Sequence, residues 1–356
     1  MKSVDIAVIG LGVYGSAAAR AFAANGWRVL AVEQAPADEV PGASHGPVRM
    51  VRTDDPDGRG TASLAIESAA QWRALSEAGP EPLFRGIPGI FAGPKGGSPT
   101  HTDQHLRITE NDPLLAGTVV PAGWTVTRNN GCGLLEARAA VLALRKQARE
   151  LGAELVFGRA AEPAEAPPTA DAPMPIRVGG ETVMAGQLLF CTGAWTLGLP
   201  EWARIPGLRA ESAHMQTATF GGHSEIFGKE AFYVFGDGDD RFCAMPLPSG
   251  KGLQFGHFSL PGNVVPQPEM IRRRDMAALR RFVPGLGETQ ERTTVRASYT
   301  MPPDGSFVLR RVSARAATLV ACSGVGFKFA PAITDRVVAL FQGSGDPVAG
   351  LRVECW

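Results

Sequence analysis

The segment Val4–Gly15 reads VDIAVIGLGVYG and decides the fold of this 356-residue chain. Its apolar run predicts a buried strand, and the glycines of a G-x-G-x-x-G turn follow the run directly. The alanine-rich residues 16–25 predict a helix, and residues 28–32 predict a second strand. Together these elements predict a βαβ unit of the kind that holds a dinucleotide at the N-terminus of its helix.

The residues of this turn have separate physical roles. Gly10 permits the tight turn out of the strand, Gly12 lets the backbone approach a pyrophosphate, and Gly15 allows close packing of the helix on the strand. Glu33 ends the second strand, where a carboxylate accepts hydrogen bonds from a ribose diol. An acid at this position disfavours the 2′-phosphate of NADP. It leaves NAD and FAD open, and a glycine turn without a ligand is the structural alternative.

The composition argues against several other classes of function. Basic and acidic residues are equal in number, 35 of each, so nucleic acid is not an expected partner. No apolar run approaches the roughly 20 residues that span a bilayer, and the N-terminal run lacks the features of a signal peptide. We therefore expect a cytoplasmic protein without a membrane partner. The five cysteines form no CxxC pair and the six histidines no ligand motif, so we expect reduced thiols and no bound metal.

Farther along, two kinds of pattern alternate. Helices are predicted over 61–78, 135–151, 270–282 and 331–341, and strands over 154–157, 181–184, 187–191 and 318–322. Residues 84–130 and 214–300 contain short β-like runs that are typical of antiparallel sheet. The alternation predicts two interleaved domains. An α/β domain takes residues 1–84, 132–210 and 306–356, and a mostly antiparallel β domain takes residues 85–131 and 211–305.

Four further segments resemble the motifs of one family. They are Ser44–Arg52 (SHGPVRMVR), Cys191–Trp195 (CTGAW), Tyr299–Asp304 (YTMPPD) and Gly324–Phe329 (GVGFKF), which we call the closing turn. Their order and their spread over nearly the whole chain are similar to those of the D-amino-acid-oxidase-like flavoproteins. Within that superfamily they resemble the monomeric sarcosine oxidase and N-methyltryptophan oxidase branch.

The resemblance implies FAD as the cofactor. It also implies a Rossmann-type FAD-binding domain interleaved with an antiparallel substrate domain that lies over the isoalloxazine ring. The implied activity is oxidation of a C–N bond in a carboxylate-bearing amine or amino acid, with secondary or cyclic amines favoured. A hydride equivalent passes to flavin N5 and leaves an imine, and the electrons then pass to O2 or another acceptor. The resemblance further implies a monomer.

Two alternatives to this activity stay open at the level of sequence. An NAD-dependent dehydrogenase explains the N-terminal unit but leaves the closing turn unexplained. A flavin-binding protein without turnover, acting as a scaffold or sensor, explains both.

On the substrate side, the resemblance gives roles to three residues. Arg52 becomes a two-point clamp for the substrate carboxylate, since a guanidinium matches a carboxylate geometrically; a surface arginine is the alternative. Lys328 becomes a second cation for the same carboxylate, and its place between two phenylalanines is unusual for a lysine that merely reaches solvent. Tyr299 either hydrogen-bonds the substrate or belongs to the core.

On the cofactor side, Arg49 is expected against the flavin ring, with a structural salt bridge as the alternative. Gly324 and Gly326 are expected to bring backbone N–H groups toward the flavin, and Thr192 and Gly193 fit a cofactor-facing loop at a strand end. The remaining cofactor contacts implied by the resemblance are Val13, Tyr14, Gln34, Ser44, His45, Ala161, Phe327 and Lys328.

Four positions depart from the branch. Ala297 stands where a cysteine links covalently to the flavin, so we predict non-covalent FAD. Gln254 stands where a lysine promotes the reduction of O2, so a neutral group replaces a charge. Val325 and Phe258 replace two histidines, and His257, one place from the second, is a candidate substitute in the active site. The pocket is therefore expected to be more apolar than that of sarcosine oxidase.

Overall fold

The computed structural model of the protein describes residues 2–55, 60–80, 82–94, 105–163, 172–221, 231–237, 240–258, 267–343 and 351–354, and Cys355 lies outside these ranges. The α-helices within them are α1 Val13–Ala24, α2 Ala62–Glu77, α3 Ala137–Glu150, α4 Pro268–Phe282 and α5 Ala330–Phe341. The strands are β1 Lys2–Ile9, β2 Val29–Glu33, β3 Val48–Val51, β4 Phe84–Arg85, β5 Gly89–Pro94, β6 His105–Arg107, β7 Trp124–Asn129, β8 Gly133–Glu136, β9 Glu154–Phe157, β10 Ala161–Pro163, β11 Met174–Val178, β12 Glu181–Phe190, β13 Arg209–Phe220, β14 Phe232–Phe235, β15 Phe242–Pro246, β16 Leu253–His257, β17 Thr289–Met301, β18 Phe307–Ser313, β19 Ala316–Val320 and β20 Leu351–Glu354. Short 3-10 turns include Gly42–Ser44, Gly193–Gly198 and Gly326–Phe329.

The strand β1 lies in the middle of the first sheet because both of its faces are apolar. It pairs in parallel with β2 and β12, which sets Ile9 beside Val32 and Phe190. The sheet order is β20-β18-β19-β12-β1-β2-β9, with β10 and β11 off this path. On one face Ile6 packs with Phe22 of α1, whereas the other face belongs to a separate cluster. A continuous apolar run buried on both faces is typical of a parallel strand covered on each side.

The second sheet is mostly antiparallel and has the order β17-β13-β16-β15-β14-β5-β7-β6. Its strands come from residues 89–129 and 209–301, and the parallel pair β5 and β14 joins these two parts of the chain. Helix α4 covers one face, where Phe282 stacks on Phe235 with ring centroids 4.1 Å apart. The strand membership of the two large sheets supports our proposed division into two interleaved domains.

A small third sheet, β3-β8-β4, connects the two domains. Side chains alternate across a strand, so Val48 and Val51 of β3 point to opposite faces. Val48 packs in a cluster with Phe91 and Met245 of the second sheet, whereas Val51 packs with Trp72 of α2 and with Phe327. The segment that carries both predicted arginines is therefore held between the domains.

The fold class predicted from the sequence is confirmed, and a few boundaries differ. The two predicted strands around residue 186 are one continuous strand, β12, since Gly186 leaves room for the close backbone of Asp5 on β1. Residues 48–51 form a strand although they belong to a polar segment, because pairing with β8 supplies the hydrogen bonds. Within the described ranges, no helix is long and apolar enough to cross a membrane.

Candidate active site

The glycine turn after β1 has the tight geometry that the sequence predicts. Gly10 has a φ of +91°, and a Cβ there would lie 2.7 Å from the carbonyl oxygen of Cys191 at the end of β12. A Cβ on Gly15 would lie 1.7 Å from the Gly10 carbonyl oxygen, so helix α1 packs on the turn with no room for a side chain. The amides of Tyr14 and Gly15 in the first turn of α1 have no partner within the helix and can bind an anion, whereas the Val13 amide donates to Ser44.

Two side chains support this turn from neighbouring segments. The Oγ atom of Ser44 accepts a hydrogen bond of 3.0 Å from the Val13 amide. The buried Glu33 carboxylate accepts from the Leu11 amide at 2.8 Å and from the Ala35 amide at 3.1 Å. Both contacts orient a polar group at the C-terminal edge of the parallel sheet, which is where this class of fold binds nucleotides.

The other predicted residues of this region have mixed positions. The side chain of Thr192 bonds Thr196 with an oxygen–oxygen distance of 2.8 Å, and its backbone lies directly against Gly10. Gln34 and His45 are exposed, and Ala161 is half-buried at the start of β10. Gly193 adopts a φ of +53° in the 3-10 turn that follows Thr192.

The closing turn packs against the first two helices. The Tyr14 hydroxyl donates to the Gly326 carbonyl oxygen at 2.7 Å. The Lys328 carbonyl oxygen accepts from the Trp72 indole N–H at 2.8 Å and from the Ser68 hydroxyl at 2.6 Å. The ring of Phe327 stacks on Trp72 at a centroid distance of 6.2 Å. The N-terminal glycine turn with α1 and the closing turn are thus in direct contact.

Arg49 is a half-buried cation held by backbone oxygens. Its guanidinium donates to the carbonyl oxygens of Val48 at 2.9 Å, of Ala43 at 3.0 Å and of His45. It lies 5.6 Å from the centre of the Phe327 ring, and no acidic group is paired with it among the described residues. Burial lowers the pKa of Arg49 to about 10, although the Cys322 thiol opposes this shift. The side chain is still charged at neutral pH, and no described carboxylate neutralises it.

Gln254 lies beside Arg49. Its Nε2 atom donates to the same Val48 carbonyl oxygen at 3.4 Å, which fixes the orientation of the amide because that carbonyl can only accept. The Oε1 atom of Gln254 is buried without a hydrogen-bond partner among the described residues, and so is the Oγ atom of Ser323 in the closing turn. Buried polar atoms without partners are uncommon in proteins and indicate a group that the chain itself does not supply.

Arg52 is paired within the protein. Its Nε and Nη2 atoms donate to Oδ1 and Oδ2 of Asp54 at 2.9 and 2.6 Å, which is a two-point contact. Its guanidinium also covers the ring of Phe91 at 4.8 Å, and the Nε2 atom of His105 lies 3.6 Å from Asp54. The guanidinium edge that a substrate carboxylate was expected to meet is therefore in contact with Asp54. Asp54 lies outside the matched segment, two residues after Arg52, and the motif alone did not predict its contact with Arg52.

Lys328 is buried close to this pair. Its Nζ atom lies 4.8 Å from the centre of the Phe329 ring and forms no hydrogen bond or ion pair with any described residue. Burial lowers the pKa of Lys328 to about 8, and the positive charge of Arg52 contributes to the shift, whereas Asp54, Cys132 and Asp55 oppose it. An ammonium group in this setting is a ready binding point for an anion.

The two remaining predicted residues lie apart. The Tyr299 hydroxyl donates to Glu211 at 2.7 Å, and the tyrosine ring packs on Gly324 beside the closing turn. The Nδ1 atom of His257 lies 2.8 Å from Asp275 of α4. His257 therefore faces α4, and the alternation of side chains along β16 turns Gln254 the other way. The structure does not bring His257 to the cluster around Arg49.

These residues fit a bound dinucleotide with a flavin. The turn at Gly10 and the N-terminus of α1 accommodate a pyrophosphate, and Glu33 lies where a ribose is expected. Arg49 supplies an uncompensated positive charge, and Gln254 and Ser323 supply unsatisfied polar atoms. A metal ion finds no comparable site, since no group of three or more His, Cys, Asp or Glu side chains occurs within the described ranges.

Comparison with known proteins gives the same picture. A model of the family described as FAD dependent oxidoreductase matches residues 5–340. N-methyl-L-tryptophan oxidase of Yersinia pestis (strain Pestoides F) is 25% identical over 379 positions, which cover 97% of this chain and 96% of that protein. Glycine oxidase from Geobacillus kaustophilus has a similar structure, with a TM-score of 0.79, 16% identity and coverage of 98% and 97% of the two chains. NikD, an unusual amino acid oxidase essential for nikkomycin biosynthesis, superimposes with a TM-score of 0.76, 19% identity and coverage of 98% and 96%.

The glycine turn gives a direct test of the cofactor site. Gly15→Ala is expected to lose most of the bound flavin, because the added Cβ would collide with the Gly10 carbonyl oxygen and push α1 away from the turn. Gly198→Ala is a matched control, since a Cβ there meets nothing within 4 Å. The measurement is the visible flavin absorbance per mole of purified protein, with thermal unfolding alongside. Wild-type flavin content in Gly15→Ala contradicts the assignment.

Proposed function

The chain belongs to the FAD-dependent oxidoreductase family, and from that premise we propose that it oxidises a C–N bond in an amine or amino acid that carries a carboxylate. Family membership makes FAD the cofactor and the chain an amine or amino acid oxidoreductase, and it removes the NAD-dependent alternative. The FAD is bound non-covalently, which agrees with Ala297 on β17, whose methyl group cannot form a thioether.

One observation carries this proposal: two cations, the half-buried Arg49 and the buried Lys328, meet the same short turn, and neither is paired with an acidic side chain among the described residues. Arg49 covers Phe327, and Lys328 is the next residue. The first cation can face an electron-rich ring system, and the second can face a carboxylate. A substrate held between them would place its amine between the two charges. Such an arrangement suits an amino acid better than a simple hydrocarbon amine.

The chemistry of the reaction is divided between cofactor and protein. FAD, when bound, supplies the acceptor for the hydride equivalent that leaves the substrate carbon. Lys328 binds and orients the carboxylate, and the buried Phe91 and Phe329 exclude water from it. The protein needs no strong base, because a neutral substrate amine already carries the electron pair that stabilises the developing imine. Secondary and cyclic amino acids fit the apolar surroundings best.

Gln254 is the residue that bears on which electron acceptor the enzyme uses. In the sarcosine oxidase and N-methyltryptophan oxidase branch that this chain resembles, a lysine at this position promotes the reduction of O2. The buried amide of Gln254 carries no charge. We propose that this enzyme reduces O2 slowly or passes its electrons to another acceptor. The same proposal places a monomeric enzyme in the cytoplasm. The free thiols of the four described cysteines, Cys132, Cys191, Cys243 and Cys322, support a reducing compartment.

A substrate screen tests the activity. Anaerobic mixing of the purified holoenzyme with N-methyl, cyclic and primary amino acids is expected to bleach the flavin absorbance with at least one secondary or cyclic amino acid. Matched amines that lack the carboxylate are the controls, and they are expected to react at least tenfold more slowly. A flavin that no amine or amino acid bleaches supports the non-catalytic alternative and contradicts the proposal.

The position of Gln254 gives a second test. Gln254→Lys is expected to speed reoxidation of the reduced enzyme in air at least tenfold, because it restores a positive charge beside the cofactor. Stopped-flow absorbance measures the rate, and Gln254→Met controls for the loss of the amide without a new charge. Equal rates in wild type, Gln254→Lys and Gln254→Met would remove this residue from the choice of acceptor.

The lowered pKa of Lys328, about 8, predicts the pH dependence of carboxylate binding. Below pH 8 the ammonium is charged, and the affinity for a carboxylate is expected to be constant. Above pH 8 this affinity is expected to fall, with a slope that approaches tenfold for each pH unit. Burial raises the pKa of the neighbouring Cys132 to about 11, and the pKa of Asp54 is held well below its usual range, so neither of these two groups titrates in this window. The measurement is the flavin difference spectrum during titration with benzoate.

In the variant Lys328→Met, benzoate binding should weaken at least tenfold at neutral pH and lose this pH dependence. A midpoint that persists in the variant assigns the titration to another group.

A further inference from the structure

The Asp54 carboxylate occupies the edge of Arg52 that is shaped to receive a carboxylate. We propose that Asp54 is a specificity-determining residue, which reserves Arg52 for itself and leaves Lys328 as the cation that meets the substrate carboxylate. This inference rests on the proposed function, in that it assumes a substrate with a carboxylate. It names the substrate class more narrowly: amino acids with one carboxylate, held at a single point of charge.

The geometry of the pair is that of a complete internal complex. Two parallel contacts of 2.9 and 2.6 Å join Arg52 to Asp54, and the Asp54 side chain is fully buried. Two-point contacts of this kind are the strongest that a guanidinium forms with a carboxylate. The Phe91 ring holds the guanidinium from one side at 4.8 Å. We call the Nε and Nη2 edge of Arg52 the fork. A substrate carboxylate that entered the fork would first have to displace the Asp54 carboxylate.

The surroundings of Asp54 keep it ionised and in place. Burial by itself raises the pKa of this carboxyl, but the charges of Arg52 and Lys328 and the neighbouring His105 hold it well below its usual range. The His105 ring is fixed in turn, because its Nδ1 atom lies 3.0 Å from the Thr127 hydroxyl and its face packs on Phe91. Displacement of Asp54 would leave a buried charge without a partner, which is strongly unfavourable.

The consequence for substrates follows from the difference between the two cations. A guanidinium fixes the plane and direction of a carboxylate, whereas an ammonium acts as a point charge with little directional demand. With the fork occupied, Lys328 alone holds the substrate carboxylate and leaves its orientation free. Arg52 is paired with Asp54, and the negative charge of the adjacent Asp55 also acts on Lys328, so a second carboxylate on the substrate finds no second unpaired cation beside Lys328 among the described residues. Dicarboxylic amino acids are therefore poor substrates.

The test uses the holoenzyme and benzoate as a simple carboxylate probe, with binding followed by the flavin difference spectrum and by calorimetry. Asp54→Ala is expected to tighten benzoate binding at least tenfold, since it frees Arg52. Asp55→Ala is the matched control: it removes a negative charge near Lys328 but leaves the fork occupied, and it is expected to change the affinity less than threefold. The double variant Asp54→Ala with Arg52→Gln should return to the wild-type affinity. Equal effects of Asp54→Ala and Asp55→Ala would overturn the proposal.

A measurement on the wild-type enzyme decides the matter even if Asp54→Ala does not fold. In crystals of the holoenzyme soaked with 4-bromobenzoate, the bromine signal locates the ligand. The expected result is a carboxylate at Lys328 Nζ with Asp54 still paired to Arg52. A carboxylate in the Arg52 fork, with Asp54 turned away, rejects the proposal. Both tests are independent of turnover, so their failure is distinct from a failure of the flavin to bleach with amino acids.

Discussion

The carbonyl oxygen of Lys328 is the point on which the active site depends. It accepts hydrogen bonds from Trp72 and Ser68, both on α2, and these two donors fix the backbone of the closing turn. The Lys328 side chain is buried near the ion pair of Arg52 and Asp54, and this burial lowers its pKa. The same anchoring stacks Phe327 on Trp72 and so provides the surface on which Arg49 rests. The hydrogen bonds from Trp72 and Ser68 to the Lys328 carbonyl oxygen thus help to position both Lys328 and the ring on which Arg49 rests.

Arg49 lies in β3 and Arg52 directly follows that strand. The two arginines show how strongly neighbouring groups decide the role of a cation. Arg49 is satisfied by carbonyl oxygens, which neutralise none of its charge, so its field extends toward whatever lies over Phe327. Arg52, three residues later, meets an ionised carboxylate and has its field largely cancelled by Asp54. Both groups lie within one short segment, where Arg52 is buried and Arg49 is half-buried. The difference between them comes from a single acidic side chain, Asp54, which pairs with Arg52 and not with Arg49.

The sequence predicts the parts of this molecule that depend on local backbone chemistry. The glycine turn, α1 and the closing turn follow from residues that few other conformations accept, as the collision expected at Gly15 shows. The strand β3 was not predicted because its segment is polar, and only pairing with β8 makes it a strand. The long partnership of β13 and β17 likewise joins segments about eighty residues apart, and no local pattern encodes that register.

The limits of motif matching at the site have the same physical origin. A matched motif transfers a backbone path, and the path of the segment from Ser44 to Arg52 is as expected, with Ser44 on the Val13 amide and Arg49 beside Phe327. It does not transfer the electrostatic state of a side chain, because that state depends on every charge within a few ångströms, including those from unmatched positions. Asp54 and His105 come from outside the matched segments, and His105 reaches the pair from the second sheet. Since a carboxylate already bound to Arg52 competes with any carboxylate that arrives, the proposed substrate depends on Asp54, two residues after the motif, as well as on the motif itself.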